Sequence, residues 1–277
     1  MKLNKRKTAR KTLVYIGIIT AAILSIFPIF YLFLTSLKPP QMTISIPPVW
    51  IFKPTLQNYQ EVIEGGDFVK YLFNSLTVGV STVLISMVLG IFAAFGFARF
   101  KFRSNFMMRM SALIPQSLPP IIILLPIFVL FFSLKLVDTK LALVIPYLTF
   151  TMPLSMWMMI GFFEEVPVEL EESAMIDGCS RLRAMLTIEL PIAVPGLAAT
   201  AVISFIYCWN EFLYAVILTG RNARTLPVMI TSFMTHKAIL WGRIAASGSL
   251  VLLPVLVFAL IFQRYLIRGL AFGSVKG

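Results

Sequence analysis

Six stretches of this chain are long, apolar and almost free of charge: 12–37, 71–98, 110–134, 141–163, 192–219 and 244–263. A helix crossing the hydrocarbon core needs about 20 predominantly apolar residues, so the pattern predicts six transmembrane helices. The polar residues between them fall into short connections, with no repeat or low-complexity linker. The expected fold is therefore an all-α polytopic membrane protein, with residues 1–277 forming one transmembrane domain. The longest inner connection, 164–191, separates the fourth and fifth spans.

The spans differ in texture. The third carries Pro115, Pro119, Pro120 and Pro126, and the fourth carries Pro146 and Pro153. Each proline removes a backbone donor and crowds the preceding turn. Helices broken in this way commonly line transport pathways, where neighbouring groups or water satisfy the freed carbonyls. Gly90, Ala94 and Ala98 form a small-residue stripe at four-residue spacing, suited to close helix packing. The connection 38–70 holds Pro39–Pro40, Pro47–Pro48 and Trp50, and predicts an extended segment followed by a short interfacial helix at Leu56–Ile63.

Composition agrees with this class. The chain is 58% hydrophobic and 13% charged, against about 25% charged in soluble proteins, and its mean hydropathy is +0.89. A net charge of +12 points to orientation and anionic lipid; no alternation of aromatic and basic residues suggests a nucleic-acid binder. With the N-terminus inside, 15 of the 24 Lys and Arg lie on the inner side and 9 on the outer. That bias places both termini, and the connection 164–191, in the cytoplasm. The basic start MKLNKRKTARK followed by an apolar run resembles a signal peptide, but the run is too long, and an uncleaved first span is expected.

Candidate chemistry is sparse. Cys179 and Cys208 are far apart and outside any CxxC pair, so both read as structural. His236 is the sole histidine, and no metal site is expected. There is no GxxxxGK[ST] to cradle nucleotide phosphates and no nucleophile–base set, so no catalytic residues and no cofactor are expected in this chain. Glu211 lies within the fifth apolar run, and an ionisable group there is a functional candidate. It makes an ion-coupled secondary transporter the main rival among function classes. A membrane scaffold that recruits other proteins is a third.

The carboxylates are unevenly spread. Seven of the twelve Asp and Glu lie between Glu164 and Glu189. Pro167 suits the first turn of a helix, and Glu169, Glu171 and Glu172 then meet the positive end of its dipole. Leu170 and Ala174 share one face. Asp177–Gly178 supplies a stop and Ser180 a cap for a second helix, along which Leu182, Met185, Leu186 and Glu189 recur. Two short amphipathic helices with a glycine corner need a cover for their apolar positions. Seven carboxylates repel anionic lipid, which favours a protein.

Glu172-Ser173-Ala174, three residues, Gly178, nine residues and Ile188-x-Leu190-Pro191 resemble the E-A-A-x3-G-x9-I-x-L-P signature of ABC importer permeases. Only Ser173 departs from the pattern. WNEFLYAVILT (209–219), TLPV (225–228) and QRYLIRGLAFGSVKG (263–277) are similar to the carbohydrate branch, to the smaller six-span subunit of the maltose-type permease pair. The resemblance implies a cell-membrane importer subunit for a sugar or sugar-like solute. It makes 164–191 a coupling-helix loop docked on a cytoplasmic ATPase dimer that carries ATP and Mg. Glu172, Ser173, Ala174, Asp177, Gly178, Ile188, Leu190 and Pro191 would form that contact, aided by the tail Arg268–Gly277. It also implies a second homologous permease subunit and an extracytoplasmic solute-binding protein. Trp209, Asn210 and Glu211 would then lie at the pathway or at a helix contact. The basic outer connection, with Arg221 and Arg224, would meet the binding protein, solvent or an acidic solute.

Overall fold

The computed structural model describes residues 2–65, 67–100, 104–235 and 238–272, and side chains from Lys11 to Gln263 within those ranges. His236 and the tail from Arg268 onward, both weighed above, fall outside the described side chains. The described residues fold into helices and connecting turns, with a lone antiparallel bridge between Met234 and Ile239. Two compact units can be told apart: Met1–Phe68 with Ile230–Leu252, and Val69–Met229 with Leu253–Gly277.

In the first unit, α1 (Lys2–Ser36) runs through the first predicted span. The predicted interfacial helix forms as α2 (Gln57–Glu64), one residue later than expected. Its anchor is Asn58, buried, whose amide donates to the carbonyls of Ser36 (2.9 Å) and Lys38 (2.8 Å). The hydroxyls of Ser36 and Tyr59 meet at 2.7 Å, and Glu61 pairs with Arg243 at 2.6 Å. Lys38, among the nine basic residues assigned above to the outer side, is buried over the rings of Tyr31 and Phe52. Aromatic faces attract a cation, and the stem covers apolar surface.

The second unit holds α3 (Phe68–Arg99, from Val69), α4 (Asn105–Ser111), α5 (Ile114–Ser117), α6 (Pro120–Ser133), α7 (Leu141–Glu165), α8 (Val168–Ile176) and α9 (Arg181–Ala184). A π-helical turn at Met185–Glu189, α10 (Leu190–Ile192), α11 (Val194–Asn210) and α12 (Leu213–Leu218) follow. A short α13 (Leu226–Thr231) precedes α14 (Trp241–Phe272), and each of these two helices passes from one unit into the other. Val78, Leu124, Leu143, Tyr147, Cys208 and Leu218 form the heart of the core at one end of the unit. The small-residue stripe packs as predicted: a Cβ on Gly90 would lie 2.7 Å from Ser155 Cβ, so α3 and α7 touch backbone to backbone. Gly196 similarly seats α11 against the ring of Phe162.

Two of the predicted spans are interrupted helices. Residues 110–134 are not one helix: α6 is preceded by the separate turns α4 and α5. The cause is Pro119–Pro120. A residue before proline is driven out of the helical region, and both Leu118 (ψ 140°) and Pro119 (ψ 127°) are extended. Residues 192–219 are also broken, since Glu211 is extended (ψ 129°) between α11 and α12. Among the described residues four helices are long and apolar enough to cross a membrane. A fifth is obtained if Arg181–Ile192 and Val194–Asn210, bent by 78°, count as one span.

Pro146 and Pro153, by contrast, do not break α7, which is continuous through both. Gln116 donates to the carbonyl of Phe150 (2.8 Å), three residues before Pro153, a side-chain partner of the kind that lets proline persist in apolar helices.

Candidate functional site

The glycine corner forms where the sequence places it. Asp177 closes α8, Gly178 takes φ +90°, and Cys179 N–H reaches back to Ala174 O (2.9 Å) while Gly178 N–H reaches Met175 O (3.1 Å). That pair of bonds is the Schellman ending, which needs a left-handed residue. Ser180 then accepts from Arg183 N–H at 3.3 Å and caps α9. Glu172, Ser173, Asp177 and Pro191 are exposed, Ile188 and Leu190 are half-buried, and Ala174 is buried. At the tip Ile176 is 85% exposed, and Leu170 and Leu182 are exposed too.

Few residues of the loop are buried. Within α8 only Glu171 and Ala174 are buried, and beyond the corner Ala184, Met185 and Glu189. Leu182 and Leu186 are exposed, apolar positions of the kind that need a cover. Glu171 and Glu189 enter the interior because Arg99 is there. Arg99 Nη2 lies 2.8 Å from Glu189 and Nε lies 3.2 Å from Glu171. Arg99 also donates to Val166 O at 2.9 Å, and Arg181 pairs with the other oxygen of Glu171 at 2.7 Å. No motif marks Arg99; its only signal is that it ends an apolar run.

A second constellation lies at the connection between α6 and α7, where Asp138 has φ +63°. Its carboxylate accepts the backbone N–H groups of Gly220 (2.8 Å), Asn222 (3.0 Å) and Ala223 (2.9 Å). Asn74 donates to the carbonyls of Asn222 and Arg224. Arg224 folds back onto Gly220 O (3.0 Å) and over the Tyr71 ring, while Arg221 is exposed. Burial raises the Asp138 carboxyl, but the N–H groups of Ala223, Asn222, Gly220 and Arg221 outweigh it and hold it below the usual 3.8. Because the folded value is the lower one, this clamp is complete above about pH 4 and is lost as pH falls through the folded value. Amide exchange at 220–223 is expected to rise in strong acid, and to rise at neutral pH in Asp138→Ala. Asp138→Asn, which keeps one acceptor oxygen, should stand between the two.

The two helix breaks open on a shared cavity of about 890 Å³, lined by Gln116, Leu118, Phe150, Tyr207, Asn210 and Glu211 among others. Glu211 accepts from Tyr147 Oη (2.7 Å), Tyr214 N–H (2.8 Å) and Ala215 N–H (3.2 Å). It thereby caps α12, the role a carboxylate fills at a helix start. Of the three residues WNE, Asn210 and Glu211 reach the cavity, whereas Trp209 is 1% exposed and stacks near Phe205 in the core.

Residues 86–272 match the family described as binding-protein-dependent transport system inner membrane component. The chain belongs to this family: it is a multi-pass permease component of an ABC importer in the inner membrane. A probable ABC transporter permease of Sinorhizobium fredii is 36% identical, covering 99% of this chain and 98% of that one. The trehalose/maltose transport system permease MalG of Thermococcus litoralis is 33% identical, with 99% of both chains covered. In fold, the chain is similar to one from a bacterial ABC transporter that imports the acidic polysaccharide alginate. The TM-score is 0.73 and the identity 19%, covering 94% of this chain and 96% of that one.

Proposed function

We propose that this chain is one of two permease subunits importing a sugar or sugar-like solute, with the loop 164–191 docked on a cytoplasmic ATPase. The observation that carries this reading is the corner at Gly178. A short acidic helix ends in a left-handed turn with Ile176 85% exposed at its tip. An apolar tip ringed by carboxylates suits a protein cleft with basic walls. Both termini are cytoplasmic, ATP and Mg are bound by the ATPase, and solute arrives from an extracytoplasmic binding protein near the Asp138-clamped loop with Arg221 and Arg224. The cavity at the two helix breaks forms this subunit's wall of the pathway, with Asn210 and Glu211 on it. A trehalose/maltose permease of full-length similarity supports the solute class.

Co-purification tests the docking. Glu172→Lys reverses charge beside the tip, and Gly178→Pro cannot adopt φ +90°. Each is expected to lower ATPase recovered with the permease pair by about tenfold or more, with the permease pair itself intact. Undiminished ATPase recovery in both variants would refute the docking.

A further inference from the structure

α8 contributes no residue to the lining of the cavity, and it has little apolar grip on its own unit. Of its nine residues only Ala174 and Glu171 are buried, and Ala174 offers one methyl group. Glu171 is therefore the principal handle on this helix, and that handle is held by Arg99. The Arg99 side chain is 4% exposed, that of Glu171 2% and that of Glu189 0%. Each contact of the guanidinium reaches a different segment: α8 through Glu171, the end of α7 through Val166 O, and the π-helical turn through Glu189. Arg181, across the glycine corner, completes a cluster of two cations and two carboxylates.

The placement of these groups gives the cluster two outputs. Arg99 is the last residue of α3, whose opposite end holds Asn74 and Ser75 against the loop at 222–226. Glu189 lies four residues before Ala193, where the chain bends by 78° into α11, whose far end carries Asn210 and borders the cavity. A buried, charge-balanced cluster does not slide as a methyl contact does, because separating one partner leaves a buried charge uncompensated.

Resting on the reading of 164–191 as the ATPase dock, we propose that Arg99 is a positioning residue that locks α8 to α3 and α11, so that displacement of the docked loop moves the cavity wall. Arginine is required because three acceptors on three segments need a planar fork. A lysine ammonium keeps the charge without that geometry.

The test uses the whole assembly of this chain with its partner permease and ATPase in nanodiscs, with Cys179 and Cys208 replaced by Ala. Spin labels are placed at Ile176 on the tip or at Phe212 on the cavity rim, and ATP with vanadate is the probe. In the parent assembly both labels should respond to ATP and vanadate. In Arg99→Lys the label at 176 should respond as before, while the response at 212 falls by about fivefold or more. Glu189→Gln should do the same. An unchanged response at 212 in both variants would overturn the proposal. So would failure of both variants to assemble, since the cluster would then be a folding element only. A parent assembly whose label at 176 is blind to bound ATPase would instead refute the docking itself.

Discussion

Gly90→Ala is expected to destabilise the protein, although the same change in an exposed helix stabilises by about 1 kcal/mol. The added Cβ would stand 2.7 Å from Ser155 Cβ and 3.1 Å from Met156 N. Neither is the movable end of a side chain: one is the first atom of a residue in α7 and the other is backbone. α3 must therefore withdraw from α7, and overpacking of this kind costs about 1–3 kcal/mol, which exceeds the propensity gain. Gly90→Leu should prevent recovery of folded protein. Gly96→Ala provides the control, since nothing lies within 4 Å of its Cβ position; there the propensity term should stand alone, with melting temperature unchanged or higher. Ser155→Gly should rescue part of the loss in Gly90→Ala, because it removes the nearer contact and leaves Met156 N. Thermal unfolding in detergent reads the three alanine and glycine variants, and the yield of folded protein reads Gly90→Leu. A Gly90→Ala protein as stable as the Gly96→Ala protein would show that α3 and α7 are not in backbone contact.

These glycines mark how far the sequence leads. Small residues at four-residue spacing announce close approach, and Asp177–Gly178 followed by Ser180 announces a corner, because each requirement is local. Prolines are less direct. Pro119–Pro120 breaks the third apolar run because each residue before a proline is forced out of the helix, whereas Pro146 and Pro153 sit singly within an unbroken α7. Gln116, from another segment, donates to the carbonyl three residues before Pro153.

What stays hidden in the sequence is long-range pairing of polar groups. Arg99 meets Glu189 across 90 positions, and Asp138 binds backbone N–H groups 82 to 85 positions away. Nothing near Asp138 in the chain signals those donors. Glu171 could be placed on the first turns of a helix, but its burial follows only from Arg99 and Arg181. The break at Glu211 contains neither glycine nor proline; its sole mark is a carboxylate in an apolar run.

That carboxylate also separates the importer from an ion-coupled transporter. Replacing Glu211 by Ala removes the acceptor for three donors at once: Tyr147 Oη, Tyr214 N–H and Ala215 N–H. An unsatisfied buried donor costs about 1–3 kcal/mol, and water in the adjoining cavity offsets part of that. A net loss of about 3 kcal/mol is expected for Glu211→Ala. Glu211→Gln retains one acceptor oxygen, enough for one cap, and its amide nitrogen must face a donor; it should lose roughly half as much. Stability and uptake should therefore fall together in the order Glu, Gln, Ala, and an uncoupler should leave uptake by the reconstituted importer unchanged at fixed ATP. A proton-carrying Glu211 would give the opposite pattern. Gln and Ala would then abolish uptake equally, since neither binds and releases a proton, and uptake by the parent protein would collapse with the uncoupler. Because Gln preserves shape and part of the cap, its position between Glu and Ala assigns the residue to holding the helix break open.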